Sequence, residues 1–121
     1  MVRLTSTVLG TPEPRALARF YQALLGWPIG TDEPDWVTLR PEGGGPGLSF
    51  QLEPDHVPPV WPARPGDQQM MLHLDLEADD LAEAAAQAET AGARLADFQP
   101  QEHVRVYLDP AGHPFCLWAN P

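Results

Sequence analysis

The feature that most constrains this chain is a pattern that occurs twice: strand, helix, three strands, then a proline-rich break and the same order again. Strands show as period-two alternation, which gives a sheet one apolar and one polar face. Leu48, Phe50 and Leu52 alternate with Ser49, Gln51 and Glu53, and Val37 and Leu39 alternate with Trp36, Thr38 and Arg40. In the second half Leu72, Leu74 and Leu76 alternate with His73, Asp75 and Glu77. Val104, Val106 and Leu108 alternate with His103, Arg105 and Tyr107, and Phe115 and Leu117 flank Cys116, with Trp118 beyond. The opening strand, about Leu4 to Leu9, mixes both faces.

Two segments carry the helical period instead. Leu17, Phe20, Tyr21, Leu24 and Leu25 recur at helical spacing, with Thr11 as a cap, Pro12 suited to the first turn and Gly26 as a stop. Leu81 to Ala91 form the second helix, with Asp80 and Glu83 at capping-box spacing and Gly92 at the end. Glycine- and proline-rich runs at 41–47 and 109–114 read as hairpins. Five prolines between Pro54 and Pro65 exclude a helix or an inner strand there and predict a stiff linker, residues 54–68.

An offset of 67 residues places Ser6 on His73, and one of 69 places Leu39 on Leu108. The expected fold is α+β: two βαβββ modules, about 3–53 and 69–119, forming a cupped eight-stranded mixed sheet with the helices outside, as a single domain over 1–121. The polar sides of the strands then carry Trp36, Arg40, Gln51, Glu53, His73, Arg105, Tyr107, Cys116 and Trp118. Aromatic side chains on such a face favour a partly enclosed surface over open solvent, and therefore a bound small molecule in the cup. Arg40 and Arg105, on matching strands, are candidates to hold a carboxylate.

Charge limits the partners. Seventeen acidic residues face seven basic ones, all arginine, for a formal charge of −10. That field opposes nucleic acid and favours neutral or cationic ligands. One cysteine allows no intrachain disulfide, and no apolar stretch is long enough for a membrane span or a signal peptide, so the expected location is cytoplasmic.

The segment from Pro12 to Trp27, the run His73-Leu74-Asp75-Leu76-Glu77-Ala78-Asp79-Asp80-Leu81, Gly92-Ala93-Arg94 and the hairpin Asp109 to Leu117 together resemble glyoxalase-like proteins. These belong to the vicinal oxygen chelate superfamily, which includes glyoxalase I, bleomycin resistance proteins and extradiol dioxygenases. The resemblance spans about Leu4 to Trp118 and implies paired βαβββ modules and a homodimer. It also implies that metal enzymes of this kind hold a divalent ion with residues of the first, fourth, fifth and eighth strands. Carried onto this chain, those positions fall on Ser6, on Gln51 or Glu53, on His73 and on Cys116. Serine and cysteine stand where histidine and glutamate are usual.

Two functions follow as expectations. One is a bleomycin-resistance-like protein that binds a small molecule without a full catalytic metal centre, a divalent metal ion being the one candidate cofactor. The other is a divalent-metal-dependent lyase, isomerase or dioxygenase-type enzyme with His73 and Glu53 as ligands and Cys116 as a candidate third. A metal-free enzyme using Glu53 or His73 as general base is a further option.

Overall fold

The computed structural model describes residues 1–120. The chain divides into two compact units, Met1–His56 and the residues from Val57 onward. Each is one four-stranded mixed sheet with one helix.

The first unit runs β1 (Ser6–Thr11), α1 (Pro14–Leu25), β2 (Ile29–Glu33), β3 (Trp36–Leu39) and β4 (Gly47–Leu52), with sheet order β1-β4-β3-β2. The second repeats it: β5 (Leu74–Glu77), α2 (Leu81–Ala91), β6 (Arg94–Leu95), β7 (Val104–Leu108) and β8 (Pro114–Trp118), in the order β5-β8-β7-β6. The first strand of each unit is an edge strand that pairs in parallel with the last, Thr7 opposite Leu48 and Leu74 opposite Phe115, while the central pairs β4–β3 and β8–β7 are antiparallel. The repeat therefore holds at the level of strand register as well as element order.

α1 begins two residues later than the sequence suggests. Glu13 is its N-cap and Pro14 its first residue. Thr11 still contributes, because its Oγ1 accepts from the Glu13 N–H (3.0 Å) just outside the helix. Gly26 closes α1 in the left-handed conformation, at φ 71°, with its N–H donating to the Gln22 carbonyl (2.8 Å). Leu17, Ala18, Phe20 and Tyr21 form the buried stripe, and Tyr21 stacks on Phe50 of β4 at 5.9 Å between centroids. Burial of a side chain such as Leu17 or Phe50 contributes about 1.5–3 kcal/mol, and these contacts fix which face of the first sheet α1 covers.

α2 is capped as expected: Asp80 Oδ1 accepts from the Glu83 N–H at 3.0 Å. Its alanine-rich face buries only Ala88 fully and lies on β8. Small side chains let the helix sit close to the sheet, and a polar contact completes the packing. Tyr107 of β7 is 1% exposed, stacks on Phe115 and donates its hydroxyl to Glu89 Oε2 of α2 at 2.7 Å.

That contact reverses the expected face of β7. Leu39 pairs with Leu48 in the first sheet and Tyr107 with Phe115 in the second, so the third strands are offset by 68 residues and not 69. A one-residue slip moves every side chain of a strand to the other face. Tyr107 and Arg105 thus lie on the helix side, and Val104, Val106 and Leu108 lie on the opposite side with Cys116.

The β7–β8 hairpin is held by Asp109, 4% exposed, whose Oδ1 accepts from the N–H groups of Ala111 (2.9 Å) and His113 (3.0 Å). Asp109→Ala leaves both amides without that acceptor and should cost about 1–3 kcal/mol. A urea titration followed by tryptophan fluorescence checks this; an unchanged midpoint contradicts it.

Candidate ligand site on the second sheet

In the first unit, β1, β3 and β4 present Ser6, Trp36, Thr38, Ser49 and Gln51 on the face away from α1, as the cross-strand pairs Trp36–Gln51 and Thr38–Ser49 require. Ser6 Oγ and Ser49 Oγ share a hydrogen bond at 2.6 Å. Gln51 Nε2 donates to Glu53 Oε1 at 2.7 Å, and the Glu53 side chain lies over Gly10, where an added Cβ would sit 2.8 Å from its Cγ. Arg40 is exposed and its Nη1 donates to the Thr5 carbonyl at 3.4 Å.

The second unit brings three of the sequence candidates together. His73 precedes β5, Cys116 sits in the middle of β8, and Trp118 follows on the same face. Asp75 joins them, because it is two residues beyond His73 along the strand and directly opposite Cys116. One ligand atom each from His73, Asp75 and Cys116 lie within 4.8 Å of one another, and His73 Nε2 is 3.2 Å from Asp75 Oδ1. Both side chains are exposed, so a contact between them contributes at most about 1 kcal/mol, and strand register and not mutual attraction gathers the group.

A cavity of about 150 Å³ opens beside this cluster, lined by Trp61, Met70, Val104, Val106 and Pro114, with His73, Gln101 and Cys116 at its polar side. A more polar recess of about 410 Å³ adjoins it and shares His73, Gln101, Val104 and Cys116, adding Asp75, His103, Trp118 and Asn120. The combination suits a ligand with a small apolar body and a polar head.

Several residues of this site were not among the sequence candidates, Gln101 and the β7 valines as well as Asp75, Trp61 and Met70. Asp75 looked like one more acid on a polar face, although its spacing from His73 was visible. Trp61 lies in the proline-rich segment, and Met70 between that segment and β5. That segment folds onto the second unit: Trp61 packs on Phe98 at 6.1 Å, and Pro58 comes so near Gly112 that an added Cβ there would sit 2.7 Å away. A tryptophan among prolines was the available signal.

Tyr107 and Arg105 belong to the framework. Arg105 Nη1 donates to the carbonyls of Gln101 (3.3 Å), Glu102 (2.8 Å) and Val104 (3.1 Å), which ties down the loop that walls the site. The Gln99 side chain continues the job: its Nε2 donates to the Ala96 and Val106 carbonyls and its Oε1 accepts from the Val106 N–H.

The donor chemistry separates the two units. Ser6 offers a neutral hydroxyl already shared with Ser49, so the first-strand position suits a cation poorly, while at the fourth-strand position Gln51 offers a neutral amide and Glu53 a carboxylate that accepts from it. Imidazole, carboxylate and thiol in the second unit suit zinc. Burial pushes the Cys116 thiol up from its ordinary value, and the charge and hydrogen bonding of Asp75 push it the same way.

A family model described as a glyoxalase-like domain matches residues 6–118. Solved structures similar to this chain include a glyoxalase/bleomycin resistance protein/dioxygenase family enzyme from Burkholderia phytofirmans PsJN, with 17% identity, 98% of each chain covered and a TM-score of 0.72. A glyoxalase-related enzyme from Fulvimarina pelagi has 20% identity, covers 100% of this chain and 90% of its own, and has a TM-score of 0.70. A lactoylglutathione lyase from Agrobacterium tumefaciens has 15% identity, 99% and 95% coverage and a TM-score of 0.63. At these identities the likeness establishes the fold alone. No curated protein is significantly similar in sequence. No helix among the described residues is long and apolar enough to cross a membrane.

Two titrations check the electrostatics. Burial, then the hydrogen bond and charge of Glu89, push the Tyr107 phenol up to about 12, against a smaller opposing effect of Arg105. Because the protonated form is favoured in the fold, this stabilisation is complete below pH 10 and disappears as pH rises through about 12. Phenolate absorbance of the native protein minus that of Tyr107→Phe should show it, and Glu89→Gln should lower the value; an ordinary tyrosine titration contradicts the packing described. In the presence of EDTA, Asp75→Asn should make Cys116 react faster with iodoacetamide at pH 8, since removing the carboxylate charge lowers the thiol pKa. An unchanged rate contradicts the Asp75–Cys116 contact.

Proposed function

The chain belongs to the glyoxalase-like domain family, and from that membership and the site geometry we propose that it binds a small molecule on the second sheet, in the manner of bleomycin-resistance-like proteins. The observation that carries this reading is the inverted face of β7. Val104 and Val106 point away from the helix-covered core, onto the side where Cys116 and His73 lie, and together with Trp61 and Met70 they line an apolar cavity. Apolar side chains turned away from the core around a concave surface, with a few polar groups at one end, are the ordinary make-up of a ligand site.

The ligand class follows from the walls. A cavity of about 150 Å³ takes a single ring or a short branched chain. The polar end offers His73, Gln101, Asp75 and Cys116, which together can accept and donate hydrogen bonds. With a formal charge of −10, the protein favours a neutral or cationic head over an anionic one. The family's four-position metal set is incomplete in kind, with Ser6 at its first-strand position and Cys116 at its eighth, and this supports binding without the family's full catalytic metal centre. The same reading includes a symmetric homodimer, the commonest closed assembly for a domain this size.

Two measurements test it. A panel of neutral and cationic single-ring fragments, screened by NMR, should shift the resonances of Trp61, Met70, Val106 and Cys116, and Val104→Phe, which fills the cavity, should weaken binding by about tenfold or more. A panel that leaves these resonances unmoved, or binds Val104→Phe equally well, overturns the site. Light scattering should give twice the 13.3 kDa chain mass; a monomer at all concentrations removes the dimer.

A further inference from the structure

We propose that the second unit carries another binding site, a groove along the open edge of β6 that takes a free amino acid with an apolar side chain. The groove is lined by β6, the residues just after it, Leu108 of β7 and the Trp61-Pro62 pair of the proline-rich segment. It uses no residue of the strands that carry the family's metal positions. It also stands independently of what binds beside Cys116, although Trp61 lines both hollows.

The polar contacts come from the strand edge. The groove holds about 380 Å³, within the range of about 300–1,000 Å³ that small-molecule pockets occupy. β6 is the last strand of its sheet, so one side of it has no neighbouring strand. Both main-chain polar groups of Ala96, the next residue, are engaged toward β7. Its N–H donates to the Val106 carbonyl (3.0 Å) and its carbonyl accepts from Gln99 Nε2 (2.8 Å). Successive residues of a strand direct these groups to opposite sides, so the N–H and C=O of Leu95 point out of the open edge. An amino acid presents the matching pair: a carboxylate to accept from the N–H and an ammonium to donate to the carbonyl, as a peptide does when it adds to a sheet edge.

Charge and shape select the same class. The Leu95 N–H lies toward Arg94 and its carbonyl toward Ala96 and Asp97, so the carboxylate end of the ligand falls beside the guanidinium and the ammonium end beside the Asp97 carboxylate. Arg94 and Asp97 both line the groove and are exposed, and neither side chain has an ion-pair or hydrogen-bond partner among the described residues. A zwitterion satisfies both, whereas a simple anion or cation meets one like charge. Trp61, Phe98 and Leu108 receive the apolar side chain. The two aromatic rings are 6.1 Å apart at 41°, and Trp61 Nε1 donates to the Phe98 carbonyl at 3.4 Å, so this corner is formed before a ligand arrives.

L-Phenylalanine and L-leucine are the probes. Each, at millimolar concentration, should shift the amide resonances of Leu95 and Phe98. Phenylalanine should bind at least about fivefold more tightly than phenylalaninamide, which lacks the carboxylate, or N-acetylphenylalanine, which lacks the ammonium. Arg94→Gln and Asp97→Asn should each weaken phenylalanine binding by a similar factor, with circular dichroism confirming that both variants fold. Val104→Phe, which fills the hollow beside Cys116, should leave that affinity unchanged. Native protein in which neither probe moves the Leu95 and Phe98 resonances overturns the proposal without reliance on any variant. So do blocked forms that bind as well as phenylalanine, or an affinity unaffected by Arg94→Gln or by Asp97→Asn. Loss of phenylalanine binding in Val104→Phe would move the amino acid to the hollow beside Cys116, overturning the groove while leaving the small-molecule reading standing.

Discussion

The register between β7 and β8 is the constraint on which the second unit depends. With Tyr107 opposite Phe115, both rings lie under α2, and the phenol reaches Glu89. The same pairing forces Val106 opposite Cys116 on the other face. A buried hydroxyl needs a partner, and the alanine-rich face of α2 offers one through Glu89 at a distance that larger side chains would not allow. The core contact and the ligand-site wall are two consequences of a single choice of register.

The two units show how one architecture diverges. In the first, the helix-covered face is apolar and the opposite face is polar, with Ser6 bonded to Ser49 and Gln51 to Glu53. In the second, one polar aromatic residue goes under the helix and aliphatic residues go outside. The backbone plan is common to both: strand order and the register of the parallel pair are the same. Only the second unit gathers imidazole, carboxylate and thiol beside an apolar hollow.

Much of the fold was legible in the sequence because the relevant signals are strong. Alternation marked β3, β4, β5, β7 and β8, glycines marked both helix ends, and Asp80 marked the start of α2. β2 and β6 were not visible: every residue of both is exposed, so neither has a buried face to impose alternation. The face of β7 was read the wrong way because hydrophobicity normally points inward, and here a satisfied tyrosine replaces an aliphatic residue in the core. Of the site, His73, Cys116 and Trp118 were visible as polar-face positions on adjacent strands. Trp61 and Met70 were not, since nothing local in a proline-rich segment or in the stretch that follows it says which surface it will cover.

The β7–β8 register can be measured directly through the single cysteine. Directly opposed residues on antiparallel strands have Cα atoms about 4.5–5.5 Å apart, within the range a disulfide spans. Under mild oxidation Val106→Cys should form an intrachain bond with Cys116 and lose both free thiols, while Tyr107→Cys should keep them. A disulfide in Tyr107→Cys and none in Val106→Cys would place Tyr107 opposite Cys116, return the valines to the helix side and remove the apolar wall of the site.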